Sequence, residues 1–135
     1  MRIAAAALML GLAAGAGAQQ VPNEPPASFM VFFDWGKGEV RSDDAATLDK
    51  VAETYRATPS ARLKLSGHSD RSGSAATNRR TALDRAETIR AELEKRGIPG
   101  NAMSVVSFGE EQPLVPTEDG VREVQNRRVV IEPGE

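Results

Sequence analysis

Apolar residues between positions 29 and 132 recur with two different periods, and the alternation of those periods divides the chain into six elements. "FMVFFDW" (29–35) is an unbroken apolar and aromatic run, the pattern of a buried strand. "GKGEVRS" then turns the chain. Leu48, Val51, Ala52 and Tyr55 follow at i, i+3, i+4 and i+7, one stripe of a helix. Ser42 is placed to cap that helix, Asp43 and Asp44 suit the positive end of its dipole, and Pro59 ends it. "ARLKLSG" (61–67) alternates Ala61, Leu63 and Leu65 against Arg62 and Lys64, as a half-buried strand does. A second helix spans about 76–96, with Ala82, Ala86, Ile89 and Leu93 on one stripe, Gly97 as its stop and Pro99 beyond. "MSVVSFG" (103–109) reads as a third strand. A polar loop with Pro113, Pro116 and Gly120 leads to a fourth, "RRVVIE" (127–132).

The order βαβαββ defines an α+β domain. Helices between strands imply right-handed crossovers, parallel pairing of the strands they join and helices laid on one face of the sheet, a two-layer sandwich. The last two strands, joined by a loop, can pair in either direction.

The N-terminal segment stands apart from this pattern. Arg2 precedes "IAAAALMLGLAAGAGA", which closes on the small-x-small triplet Ala16-Gly17-Ala18. Residues 1–18 thus have the layout of a secretory signal peptide cut before Gln19. The apolar run is shorter than the roughly 20 residues of a transmembrane helix, so no membrane span is expected after cleavage; an uncleaved inner-membrane anchor is the alternative. Residues 19–28, rich in proline and polar side chains, form a short extended leader, and 29–135 form the domain. No cysteine stands at the cleavage point, which argues against a lipid-anchored form, and an exported chain without cysteine folds without disulfides. The domain is large enough to bury one core unaided. With 17 basic and 19 acidic residues the chain shows no electrostatic footprint for nucleic acid, so recognition rests on a few placed charges.

The loop "SGHSDRSGSAATNRRTALDR" (66–85) concentrates the candidate chemistry. His68, the single histidine, and Asp70 share a face of extended chain, but no nucleophile elbow or cysteine accompanies them, which disfavours catalysis. One histidine without cysteines disfavours a zinc site, and no metal or other cofactor is expected. A third possibility is a two-charge socket made of Asp70 and Arg85. Arg85 lies roughly 70° from the centre of the apolar stripe, at the boundary of core and solvent. Asn78, seven residues earlier, projects from nearly the same edge. Read from these residues alone, Asp70 and Arg85 either tie strand to helix as a structural pair or hold a ligand of both signs.

Several motifs, in order, bear on that choice: Phe32-Phe33-Asp34-Trp35, Gly67-His68-Ser69-Asp70, Gly73-Ser74, Asn78, Arg85-Ala86, Phe108-Gly109-Glu110 and Asn126-Arg127-Arg128. Together they resemble the OmpA-like peptidoglycan-binding domain, the family of outer-membrane protein A, the peptidoglycan-associated lipoprotein and flagellar motor protein B. The resemblance runs from about Phe29 to Ile131. It departs from the family pattern at Ser69, where threonine is usual, at Thr81-Ala82 for Leu-Ser, and between Arg122 and Asn126, where one residue is added. It implies a mixed sheet and a non-enzymatic protein of the Gram-negative periplasm, possible attachment at the outer membrane included, that binds the meso-diaminopimelate stem peptide of peptidoglycan. By the motif match Asp70 would hold the ligand's ammonium and Arg85 its carboxylate. Ser69, Gly73, Phe33, Asp34 and Trp35 would line the pocket, Trp35 as a packing residue beside it with a ligand platform as the alternative, and Asn78 would brace the loop or reach the ligand. Arg127 and Arg128 either face the ligand, or one of them makes a structural ion pair on the sheet face. Attachment through an envelope protein partner, an interaction module that no longer binds the wall, and a wall hydrolase on the same fold are the alternatives.

Overall fold

The computed structural model describes residues 28–58 and 60–134. The expected signal peptide, all of the leader but Ser28, and the helix-ending Pro59 lie outside them. Four strands and two helices follow in the expected order: β1 (Phe29–Phe32), α1 (Ala45–Ala57), β2 (Leu63–His68), α2 (Ala75–Lys95), β3 (Met103–Gly109) and β4 (Arg128–Pro133). The fold is therefore α+β, a mixed four-stranded sheet with two helices.

The sheet order is β1-β4-β2-β3. β2 and β3, joined through α2, pair in parallel. β1 and β2, joined through α1, run the same way but do not pair, because β4 lies between them antiparallel to both. The expectation that every helix-linked pair of strands would be adjacent is corrected at this point. So is the expectation that the last two strands pair, since β2 separates β3 from β4. The burial of β4 fits its central place: Val129 and Ile131 are fully buried beneath the helices, and Val130 on the other face is half-buried.

The apolar stripes point where the periodicity put them. Leu48, Val51 and Ala52 of α1 and Ala86, Ile89 and Leu93 of α2 meet Val31, Leu65, Val129 and Ile131 of the sheet in one core. Gly67 lets α2 approach β2 very closely: a Cβ there would stand 2.0 Å from the carbonyl oxygen of Ala82. The alternation of β2 then turns Ser66 and His68 to the opposite face of the sheet. His68 is buried and stacks on Phe108 of β3 with ring centroids 5.4 Å apart.

Element ends differ in instructive ways. α2 starts one residue early, because the Ser74 hydroxyl accepts from the N–H of Thr77 at 3.1 Å as its cap. It stops as expected at Gly97, whose φ of 98° suits only glycine and whose N–H reaches the carbonyl of Glu94. Ser42 does not cap α1. Ser42–Asp44 forms a 3-10 turn, and the Asp44 carboxylate instead accepts from Phe32 N–H and the Arg41 side chain, both at 3.3 Å. β1 ends three residues before the apolar run does. The chain turns at Asp34, where Lys37 N–H reaches the Asp34 carbonyl at 3.1 Å and Gly36 takes φ 71°.

Candidate functional site

Where β1 and β2 finish and β4 begins, three chain segments converge against the first turns of α2. They enclose an open hollow of about 220 Å3 lined by Trp35, Gly36, Ser69, Asp70, Ser72, Gly73, Thr77, Asn78, Thr81, Arg85 and Arg127. Of the residues singled out in the sequence, Ser69, Asp70, Gly73, Asn78 and Arg85 line it. Phe33 and Asp34 do not. Phe33 is fully buried in the core, with the Arg85 guanidinium 5.2 Å above its ring. The Asp34 side chain faces outward 3.6 Å from Arg41, and only its carbonyl, an acceptor for Arg85, belongs to the surroundings of the hollow.

Asp70 and Arg85 share the hollow without pairing. The partner of Asp70 is Arg127, whose Nη1 lies 2.6 Å from Oδ2 and whose Nε donates to the Phe33 carbonyl. Asp70 is 3% exposed, so its charge requires compensation on every side. Oδ2 also accepts from the Glu123 N–H at 3.1 Å, and Oδ1 accepts from both the N–H and the hydroxyl of Ser72, at 3.1 and 2.6 Å. Burial alone would raise the Asp70 carboxyl. The bonds from Ser72, Arg127 and Glu123 outweigh it and hold the group below the usual carboxylate range.

Arg85 is held differently. It is also only 3% exposed, deeper than the boundary position its helical angle indicated. Its donors reach carbonyl oxygens: Nε and Nη2 bond to Lys37 O at 3.2 and 3.1 Å, and Nη2 also approaches Asp34 O at 3.4 Å. No carboxylate lies within 4.0 Å of it among the described residues. Burial, and then the neighbouring Arg127, lower its proton affinity, while Asp70 opposes the change. A buried guanidinium facing a hollow, with no carboxylate at pairing distance among the described residues, is arranged to receive an anion.

The remaining contacts fix the walls. Asn78 Nδ2 donates to the Gly73 carbonyl at 3.1 Å and to Glu110 at 2.7 Å, bracing the loop after β2. The loop before β4 is strapped on by Gly120 N–H to Arg71 O and by the Arg71–Asp119 ion pair. Asn126, fully buried, accepts from Leu114 and Val115 N–H and donates to Val115 O, which fixes the same loop from within. Trp35 lines the hollow, as the motif match implied, but at 47% exposure it stands on the rim, and the expectation of a packing residue is corrected. Its Nε1 donates to the Ser72 hydroxyl at 3.1 Å, and the Arg122 guanidinium lies 3.5 Å from its ring. Arg128, buried and bonded to backbone carbonyls of Asn126 and Gln112, stays away from the hollow. Ser72 and the Glu123 N–H were not foreseen as partners of Asp70. Ser72 had no signal beyond its turn-forming character, and Glu123 none at all.

The fold and this hollow define an α+β domain with a charge-lined site at one end of a mixed sheet. A profile of the OmpA family matches residues 32–127, and the chain belongs to that family. It is 34% identical over 126 residues to the peptidoglycan-associated lipoprotein of Rhizobium meliloti, covering 93% of this chain and 72% of that protein. It is 31% identical over 113 residues to an outer membrane protein of Gluconacetobacter diazotrophicus, covering 79% of this chain but only 30% of that one. The crystal structure of the peptidoglycan-associated lipoprotein from Burkholderia pseudomallei superposes with a TM-score of 0.74 at 29% identity, over 84% of this chain and 96% of that one.

Proposed function

We propose that the domain is a non-enzymatic binder of diaminopimelate-containing peptidoglycan in the periplasm, carried there by the signal peptide of residues 1–18, and that it links the envelope to the wall. The observation that carries the reading is Arg85, buried in the same hollow as Asp70 and without a carboxylate partner among the described residues. The similarity to peptidoglycan-associated lipoproteins of Rhizobium meliloti and Burkholderia pseudomallei supports the choice of polymer. The free end of diaminopimelate carries an ammonium and a carboxylate on one carbon. Arg85 offers its planar fork to the carboxylate, and Asp70 accepts from the ammonium. Asp70 already uses the roughly four acceptor directions of a carboxylate, so one donor gives way. The Ser72 hydroxyl is that donor, since it turns about a single bond. Ser69 and Gly73 supply loop backbone, and Asn78 holds the loop in place.

The alternative of a domain whose Asp–Arg pair is purely structural fits Asp70 and Arg127 but leaves Arg85 unexplained. A hydrolase reading lacks support, because the Ser69 and Ser72 hydroxyls are engaged with Asp70 while His68 stacks on Phe108. Co-sedimentation with purified sacculi tests the proposal. Wild type binds diaminopimelate-type sacculi, and Arg85→Ala weakens binding at least about tenfold, the value of one charge-assisted contact. Arg85→Lys, which keeps charge but loses the fork, recovers only part. Lysine-type wall lacks the side-chain carboxylate. Equal binding of wild type to both walls overturns the reading.

A further inference from the structure

Arg122 is the cation on the rim that the socket leaves unused. Its guanidinium carbon lies 3.5 Å from the centre of the Trp35 ring. At that separation the planar group fits only face-on to the indole, which orients it at small entropic cost and leaves its N–H edge pointing away from the ring. Among the described residues that edge has no hydrogen-bond acceptor and no carboxylate within 4.0 Å; the two acids nearest in sequence are engaged elsewhere, Asp119 with Arg71 and Glu123 with the N–H of Gln125. Trp35 in turn is fixed by its bond to Ser72, and Ser72 by its bonds to Asp70. The backbone of Arg122 is tied to the same point, because the next residue donates its N–H to Asp70. The Trp35 indole nitrogen therefore stands two hydrogen bonds from the Asp70 carboxylate, about one to two residues of extended peptide. Charge points the same way. The lining holds one carboxylate and two guanidiniums, so a seated zwitterion leaves it positive even before Arg122 is counted.

We propose that Arg122, laid on Trp35, is a specificity-determining residue that reads a second, free carboxylate on the same peptide ligand and discriminates against its carboxamide. The inference rests on the socket reading above. In a stem peptide the residue before diaminopimelate is a glutamate linked through its side-chain carboxyl, so its α-carboxylate is free unless amidated. From the ammonium at the free end of diaminopimelate to that α-carboxylate run about eleven bonds, enough to reach from Asp70 past the Trp35 indole to the Arg122 edge.

Calorimetric titration of the intact protein with two synthetic tripeptides tests this. One is L-alanyl-γ-D-glutamyl-meso-diaminopimelate, and the other is identical except for a carboxamide at the glutamyl α-position. Emission of Trp35, the only tryptophan in the sequence, reports in parallel that the rim is engaged. Wild type is expected to prefer the carboxylate peptide by about three- to tenfold, a range set by an exposed ion pair partly shielded by the ring. Arg122→Gln is expected to abolish the preference while leaving affinity for the carboxamide peptide unchanged. Arg122→Lys should keep part of it. The melting temperature should stay near that of wild type in both variants, which separates the effect from a structural one. If wild type binds both peptides equally, or if Arg122→Gln keeps the preference, the inference fails while the socket stands. If neither peptide binds, the socket reading fails and takes this one with it.

Discussion

Asp70 shows how one residue can be legible in kind and illegible in arrangement. Its acidic character and its place after a strand were plain in the sequence, yet its four donors come from positions 72, 123 and 127, and only the nearest has a local signal. Arg127 reaches it because β4 lies beside β2, a fact of strand order that no periodicity encodes. Arg85 was placed at the helix edge by its angle. Its burial comes from the turn after β1 folding its carbonyls over the guanidinium. A prediction follows from the crowding at Asp70. Ser72→Ala removes the one donor that must give way to a ligand ammonium but also frees the Trp35 indole. Affinity for the carboxamide tripeptide measured by calorimetry should therefore hold or rise, by up to about fivefold, while the preference for the carboxylate peptide narrows and melting drops slightly. A large loss of affinity would show that the Ser72 hydroxyl itself contacts the ligand.

The elements were the most legible level. Both helical stripes and all four strands follow from spacing, because burial on one face imposes the period. The errors sit at ends and joins. The apolar run overextends β1 because Phe33 continues it, although Phe33 reaches the core from beyond the strand. The pattern also starts β4 one residue early, because Arg127 caps the end of the 3-10 turn Val124–Asn126. The contact between β2 and α2 was also invisible, since a glycine in a strand can mark a bulge as readily as a close approach. Gly67→Ala makes that contact testable. Its methyl would overlap backbone rather than a yielding side chain, so we expect a loss of about 3 kcal/mol or more in chemical denaturation. A loss below about 1 kcal/mol would mean that α2 rides on the sheet more loosely than described.

At the scale of the whole molecule, stability should depend on pH through His68. Burial first, and the charge of Arg128 second, lower its pKa to about 4 from an ordinary 6.5. The unfolded chain therefore takes up the proton before the folded one does. Stability is unaffected above about pH 6.5 and falls as pH drops from there to about 4, by at most about 3 kcal/mol. Any loss from protonating Asp70 comes in a lower window, beneath its ordinary 3.8. Urea midpoints across this range should show the decline, and His68→Phe should flatten it; a wild-type midpoint constant from pH 7 to 4 would contradict the account.

The position of β4 has a consequence for how the protein comes into being. The strand that joins β1 to the rest of the sheet lies at the far end of the described chain, so a nascent polypeptide that stops short of Arg128 owns only the parallel β2–β3 pair. Such a chain lacks Val129 and Ile131 at the centre of the core, so it should fail to close cooperatively and remain open through synthesis and any passage across a membrane, collapsing only on release. Ribosome-arrested chains ending before Arg128 should stay protease-sensitive, and those carrying β4 clear of the exit tunnel should resist; early resistance would mean that the helices and β2–β3 fold as a unit of their own.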